Sequence, residues 1–265
     1  MFGMDDTCVN PQLAKEPTPN IRTLEPATEP LSHPAKSGGK LMTIPKEILD
    51  SIQLLIFDLD GTLVDSETDL TLSVNAVRSQ MGLASLPDKT ISSYVGNGVT
   101  TLMERALGNG ASIEDVQKAV TRFLAYYRLH MLDHTVPYTG VRESLEELKG
   151  LKLAVLTNKP VRFSRDLLAG LGMAYHFSFI YGGDSFALKK PDPAGIVKLM
   201  NDTGLSKMQT MMIGDSATDV LTGRNAGVLT CGVTYGIGSH TLESTPPDLV
   251  IGDFRDLPRL LKGEL

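Results

Sequence analysis

Short apolar runs alternate with helical patterns from residue 52 onward, and this alternation limits the possible folds more than any other feature of the chain. The first run, 52–57, ends at an acidic residue and is typical of a buried strand. Similar runs follow at 151–156, 179–181, 211–213 and 229–233, with helical patterns between them at 141–148, 161–171, 193–200 and 217–225. This order predicts an α/β fold: a doubly wound parallel sheet with helices on both faces and a Rossmann-like core.

One long segment between Asp65 and Pro137 interrupts the alternation, because it carries helical patterns and no good strand pattern. The helical patterns cover 70–81, 98–107 and 113–132. We therefore predict a small all-helical cap domain at 67–137, inserted after the first strand. The catalytic core would then consist of 49–66 and 138–265.

Residues 1–48 differ in composition from the rest of the chain. Prolines recur, Ser37-Gly38-Gly39 lies near the end, and no apolar periodicity is visible. Such a segment buries too little surface to offset the entropy lost on ordering. We predict a disordered N-terminal tail, with a translation start at Met42 as the alternative.

Charge and composition argue against several classes of protein. The net charge is −6, with acidic and basic residues mixed, so we expect no nucleic-acid partner. The two cysteines, Cys8 and Cys231, do not suggest a disulfide framework. No apolar stretch approaches the ~18 residues of a membrane span, and the N-terminus lacks the apolar core of a secretory signal. We expect a cytoplasmic protein, a monomer or homodimer, with no membrane partner.

Two acidic residues, Asp58 and Asp60, directly follow the first predicted strand. Residues i and i+2 of an extended chain share a face, so both carboxylates would point the same way. Gly61 allows the backbone to turn away sharply after them. Such a pair repels itself unless a cation or a shared proton intervenes. Taken alone, the segment could equally be an ordinary turn.

A second acidic pair, Asp215 and Asp219, follows the strand predicted at 211–213 and begins a helix. The two residues lie one helical turn apart, so both can face one point. Asp215 could also cap the helix while Asp219 is solvated in its first turn. Two acidic clusters at two strand ends are better explained by one metal ion, and oxygen ligands favour Mg²⁺.

Candidate phosphate-binding groups follow other strand patterns. Thr157 and Asn158 directly follow the strand predicted at 151–156 and offer a hydroxyl and an amide. Lys190, which directly precedes Pro191, offers a cation and is preferred over Lys189. Any one of these residues, taken singly, would more often be ordinary surface.

Together these motifs resemble the haloacid dehalogenase superfamily. The resemblance rests on Asp58-Leu59-Asp60-Gly61-Thr62, Thr157, Lys190 and Gly214-Asp215-Ser216-Ala217-Thr218-Asp219, and it covers about residues 50–265. Three further segments are similar to the phosphoglycolate phosphatase branch: Tyr94-Val95-Gly96-Asn97-Gly98, Pro137-Tyr138-Thr139-Gly140-Val141 and Gly232-Val233-Thr234-Tyr235-Gly236. The resemblance implies a doubly wound core with a helical cap and a phosphatase acting on a small phosphorylated metabolite, 2-phosphoglycolate.

The resemblance also implies a role for each acidic residue. Asp58 would be the nucleophile and form an aspartyl-phosphate, and Asp60 would be the general acid and base. Mg²⁺ would be held by the Asp58 carboxylate, the Asp60 backbone carbonyl and Asp215. Asp219 would be a further ligand or a partner of the ligands.

The same resemblance assigns Thr157 and Lys190 to the transferring phosphoryl group, with Asn158 contacting phosphate or orienting the Thr157 loop. Alternatives within the superfamily are a pyrophosphatase or nucleotidase and a β-phosphoglucomutase-like mutase. A dehalogenase is disfavoured because it needs no acid at Asp60. A non-enzymatic binding protein on the same fold is disfavoured because no motif residue is missing.

Overall fold

A six-stranded parallel sheet forms the centre of the computed structural model, which describes residues 44–265. Its order is β5-β4-β1-β6-β7-β8, and each neighbouring pair is parallel. The strands are β1 Leu54–Phe57, β4 Lys152–Leu156, β5 Phe179–Tyr181, β6 Thr210–Gly214, β7 Leu229–Val233 and β8 Leu249–Ile251. The predicted α/β fold with a doubly wound parallel sheet is confirmed.

Strand β1 shows why this sheet is covered on both faces. All four of its residues are buried. Leu54 and Ile56 pack into one hydrophobic cluster, whereas Leu55 and Phe57 pack into another. Alternate side chains of a strand point to opposite faces, so two cores require a strand that is apolar throughout.

Ten helices accompany the strands in the described part of the chain. They are α1 Lys46–Asp50, α2 Glu67–Gln80, α3 Asp88–Ser92, α4 Val99–Leu107, α5 Ile113–His130, α6 Val141–Glu147, α7 Val161–Gly170, α8 Ala194–Thr203, α9 Ala217–Ala226 and α10 Asp256–Leu261. None of these helices combines the length and the apolarity that a membrane span requires.

Helices α2 to α5 form the cap segment, which we define as residues 67–137. Its ends meet in a short antiparallel pair, β2 (Val64–Asp65) with β3 (Val136–Pro137). Close by, the buried Asp69 carboxylate accepts hydrogen bonds from the backbone and side chains of His134 and Thr135, at 2.7–3.0 Å. The entry and exit of the cap segment are therefore joined at one place.

The sequence patterns missed α1, α3, α10, β8 and the β2–β3 pair. Each has six residues or fewer, so a helical or strand period can hardly repeat within it, although the three-residue β5 was predicted. Helix α1 begins at Lys46, so the last residues of the predicted 1–48 tail are helical. Residues 1–43 of that tail lie outside the described residues. The division into core and cap domains stays a prediction.

Candidate active site

Three buried carboxylates converge at the carboxyl end of the sheet. Asp58 follows β1 and Asp215 follows β6, and these two strands are neighbours. Asp219 lies in the first turn of α9. One oxygen from each residue can be chosen so that all three lie within 4.8 Å of one another. The two acidic segments that the sequence assigned to one site are therefore adjacent in the fold.

Burial governs the protonation of this cluster. It raises the pKa of Asp58 to about 6, although the nearby Lys190 ammonium opposes the rise. Burial raises the pKa of Asp215 well above its usual value, and the charges of Asp219 and Asp58 add to the effect. Fully ionised, three carboxylates beside the single ammonium of Lys190 leave two negative charges in excess. A divalent cation would remove this excess.

Asp58 and Asp215 differ from Asp219 in how many hydrogen bonds their carboxylate oxygens already accept, and therefore in how free they are to bind a metal. Asp58 Oδ1 is buried and accepts no hydrogen bond; its 2.9 Å contact with Lys190 Nζ is an ion pair with poor hydrogen-bond geometry. Asp215 Oδ2 accepts from the Gly238 N–H at 2.7 Å, and its Oδ1 has only a 3.4 Å contact with Thr62. Both residues fit a hard cation that prefers oxygen ligands.

Asp219, by contrast, already has protein donors on both oxygens. Oδ1 lies 2.6 Å from Lys190 Nζ, and Oδ2 accepts from the Ser216 hydroxyl at 2.7 Å and the Ser216 N–H at 3.1 Å. The bond from the Ser216 N–H belongs to a capping box that starts α9, in which the Ser216 side chain accepts from the Asp219 N–H in return. Of the two roles expected for Asp219, this arrangement suits a partner of the ligands better than a ligand.

Lys190, and not Lys189, is the lysine that enters the site. Its ammonium lies 2.9 Å from Asp58 and 2.6 Å from Asp219. Although burial favours the neutral amine, the two carboxylates raise the pKa of Lys190 above its ordinary value. Lys189 is exposed. A fixed cation beside Asp58 suits the binding of a phosphoryl group there.

The Asp60 side chain forms a second cluster next to the first. Its carboxylate accepts from the Ser66 hydroxyl at 2.6 Å and from the Lys159 ammonium at 2.9 and 3.1 Å. Lys159 also donates to the Tyr127 hydroxyl at 2.7 Å, and its Nζ lies 4.5 Å from the centre of the Tyr127 ring. Tyr127 belongs to α5, so this cluster joins the cap segment to the core.

Thr157 and Asn158 follow β4 beside β1, as the sequence predicts. Thr157 lines the same cavity as Asp58. Asn158 donates through Nδ2 to the Gly96 carbonyl at 2.9 Å and to the Lys190 carbonyl at 3.1 Å. Its Oδ1 accepts from the Lys190 N–H at 3.0 Å. Both amide hydrogens are therefore engaged, which suits the loop-orienting role expected for Asn158 rather than phosphate contact.

The Asp215 side chain leaves no room for a side chain at position 61, which is occupied by Gly61. Its φ of 88° lies in the left-handed region that favours glycine. A Cβ at this position would overlap Oδ2 of Asp215. The sharp turn expected after Asp60 is present, and it lets the β1 loop approach the β6 loop closely.

A cavity of about 60 Å³ lies between the cap segment and the sheet. Its polar lining residues include Asp58, Asp60 and Thr157, whereas most of its lining is apolar. The apolar lining residues are Leu70, Val95, Val99, Leu102, Phe123, Leu124, Pro160 and Phe163. This volume is far below the ~300–1,000 Å³ of pockets for drug-sized ligands, so it suits a small molecule.

The sequence patterns did not single out Lys159, Tyr127 or Ser66. Tyr127 appeared only as one of the apolar-face residues of the helix predicted at 113–132. Lys159 stands directly after Thr157-Asn158, and this position was its only signal. Their meeting depends on contacts between distant parts of the chain, which periodicity cannot reveal.

A family model described as haloacid dehalogenase-like hydrolase matches residues 55–233. The chain belongs to this family. The match confirms the superfamily inferred from the four motifs, and with it the prediction of an enzyme of the hydrolase class. All the motif residues, from Asp58 to Asp219, lie within the matched range.

Relatives of this haloacid dehalogenase-like hydrolase carry a more specific name. It is 38% identical over 219 residues to a phosphoglycolate phosphatase of Neisseria meningitidis, covering 79% of this chain and 93% of the relative. It is 41% identical over 223 residues to a phosphoglycolate phosphatase of Colwellia psychrerythraea, covering 81% and 99%. The matches span nearly all of both relatives.

A solved structure supports the same family. The crystal structure of a predicted phosphoglycolate phosphatase from Haemophilus somnus superposes with a TM-score of 0.75 at 32% identity, covering 79% of this chain and 98% of that one. The similarity therefore includes the cap segment as well as the sheet.

Proposed function

We propose that this haloacid dehalogenase-like hydrolase is a Mg²⁺-dependent phosphatase that converts 2-phosphoglycolate to glycolate and phosphate. The observation that carries the proposal is the buried cluster of Asp58, Asp215 and Asp219 with Lys190 inside it. Such a cluster has the charges needed to hold a cation and a phosphoryl group together. The substrate is proposed from the names of the relatives, which are phosphoglycolate phosphatases.

In the first step, a carboxylate oxygen of Asp58 attacks phosphorus and the P–O bond to glycolate breaks. Asp60 gives a proton to the departing glycolate oxygen. Lys190 and Thr157 stabilise the charge on the transferring group. The product of this step is an aspartyl-phosphate on Asp58.

In the second step, Asp60 takes a proton from a water molecule, whose oxygen attacks phosphorus. The bond from phosphorus to the Asp58 oxygen breaks, which releases phosphate and restores the carboxylate. Asp58, Asp215 and the Asp60 backbone carbonyl would hold Mg²⁺, which supplies charge stabilisation to the phosphoryl oxygens when bound.

The size of the cavity weighs on the alternatives within the superfamily. The cavity of about 60 Å³ favours a small ester over a nucleotide. A β-phosphoglucomutase-like mutase would return an isomerised sugar phosphate instead of inorganic phosphate. The cytoplasmic location and the monomeric or homodimeric state stay predictions.

A phosphate-release screen tests the proposal. The full chain would be assayed with 2-phosphoglycolate, pyrophosphate, nucleoside monophosphates and sugar phosphates, each with Mg²⁺ and with EDTA. We expect selective turnover of 2-phosphoglycolate that requires Mg²⁺. Preferred turnover of pyrophosphate or a sugar phosphate would refute the substrate, and undiminished turnover in EDTA would refute the metal requirement.

A further inference from the structure

Lys159 is a buried cation in the wall of the substrate cavity. Its side chain is 6% exposed. Among the described residues that line this cavity, it is the only one with a cationic side chain. The other lining residues are apolar, uncharged polar or acidic.

The ammonium of Lys159 makes hydrogen-bond contacts with two neighbours. It contacts both oxygens of the Asp60 carboxylate and the oxygen of the Tyr127 hydroxyl. Burial makes the charged form of a lysine costly, so this ammonium needs an anion beside it. In this structure the anion is Asp60.

The proposed mechanism separates this pair. Asp60 has to approach the leaving oxygen in order to protonate it, and a carboxylate held by both oxygens on a lysine is poorly placed to do so. If Asp60 turned away alone, it would leave an unpaired buried charge. Losing one partner of such a pair is strongly unfavourable.

We propose that Lys159 binds the carboxylate of the substrate, which takes the place of Asp60 and so releases Asp60 for proton transfer. This inference rests on the proposed function. In 2-phosphoglycolate the carboxyl carbon is bonded to the carbon that carries the ester oxygen. A group that contacts Asp60 is therefore within reach of the substrate carboxylate when Asp60 is near the ester oxygen.

Tyr127 connects this exchange to the cap segment. Its hydroxyl oxygen accepts a hydrogen bond from the Lys159 ammonium at 2.7 Å, and its ring stacks on Phe123 of the same helix at 5.3 Å between ring centres. Burial raises the pKa of Tyr127 to about 12, although Lys159 opposes the rise, so the hydroxyl stays neutral. Tyr127 therefore holds Lys159 in place without competing as an anion.

Esters without a carboxylate lack this exchange. With them, Lys159 keeps Asp60 as its only anion, and the proton donor stays engaged. Selectivity for 2-phosphoglycolate thus follows because the Lys159 cation needs a carboxylate beside it throughout the reaction, and only a substrate with a carboxylate can replace Asp60 there. The competing explanation is that Lys159 only positions Asp60, whatever the substrate.

Binding of unreactive analogues tests the proposal without turnover. Calorimetry on the Mg²⁺-loaded full chain would compare 3-phosphonopropionate, which carries a carboxylate, with propylphosphonate, which does not. We expect the carboxylate to improve affinity about 10- to 100-fold, as is typical of hydrogen bonds to charged groups. Lys159→Met should abolish this preference, Lys159→Arg should retain part of it, and Lys152→Met, which changes an exposed lysine, should leave it intact.

Kinetics with 2-phosphoglycolate and ethyl phosphate distinguish the two explanations. Lys159→Met should lower kcat/KM for 2-phosphoglycolate by a factor of about 10 to 100 more than for ethyl phosphate. Equal losses on both esters would show that Lys159 only positions Asp60, which overturns the proposal.

Failure of the proposed function would look different. If the wild-type chain hydrolysed neither ester, the substrate assignment would fail while the analogue comparison still tested Lys159. Equal wild-type affinity for the two phosphonates would overturn the inference, even if 2-phosphoglycolate were turned over. Should Lys159→Met not fold, Lys159→Gln keeps a polar contact for Tyr127 and gives the same comparison.

Discussion

Replacing Lys190 by methionine would remove the only ammonium that contacts the buried carboxylate cluster in the described part of the chain. Lys190 lies 2.9 Å from Asp58 and 2.6 Å from Asp219, and its side chain is 2% exposed. Removing one partner of such a pair costs about 3–5 kcal/mol, because the remaining charges stay buried without compensation. The free energy of unfolding of an ordinary domain is about 5–15 kcal/mol, so this loss is a large fraction of the total.

Urea unfolding followed by far-UV circular dichroism measures the effect in EDTA. With a slope of about 3 kcal/mol per molar urea, the loss lowers the midpoint by roughly 1–2 M. Lys189→Met is the matched control, because Lys189 is exposed and adjacent, and we expect a change within about 0.5 kcal/mol. Adding Asp219→Asn to Lys190→Met should recover part of the loss, since it removes one of the repelling charges.

The reasoning would be refuted if the free energy of unfolding of Lys190→Met in EDTA were within about 1 kcal/mol of the wild-type value. It would also be refuted if the Asp219→Asn change made the double variant still less stable. A larger stabilisation by Mg²⁺ in Lys190→Met than in wild type would support the same electrostatic account, because a divalent cation offsets the excess negative charge.

Three further predictions concern the acidic residues. Asp58→Asn should abolish phosphate release, and Asp60→Asn should lower kcat about 10²–10⁴-fold, with circular dichroism to check the fold. In EDTA, the raised pKa of Asp58, about 6 against 3.8 in the unfolded chain, stabilises the folded state at low pH, and this contribution is lost as the pH rises through about 6. The free energy of unfolding should therefore fall by up to about 3 kcal/mol between about pH 3 and pH 7, less steeply in Asp58→Asn. Asp69→Ala should lower the free energy of unfolding, measured in urea, by about 3 kcal/mol or more, because it leaves the hydrogen-bond donors of His134 and Thr135 without an acceptor. A loss under about 1 kcal/mol would contradict this role.

Local patterns were sufficient to predict the architecture. Apolar runs of strand length and helical periods each occupy a few consecutive residues, so the parallel sheet and the helices at 67–137 can be read from the chain directly. Very short elements were found unevenly: β5 was predicted and β8 was missed, although each has three residues. The acidic residues at strand ends were visible for the same local reason.

Tertiary structure decided which of these residues meet and what each contacts. Asp58 and Asp215 are more than 150 positions apart and converge only because β1 and β6 are neighbours in the sheet. Whether Lys189 or Lys190 points inward depends on the packing around the loop, not on composition.

Lys159 is the clearest case of a residue whose place only the fold reveals. Its sequence neighbours predict a phosphate-binding loop, but its partners come from the β1 loop and from α5 of the cap segment. Burial turns an ordinary lysine into a cation that has to be paired, and burial is a property of the whole fold. The sequence alone therefore predicted a reaction type, and the structure supplied the group proposed to select the substrate.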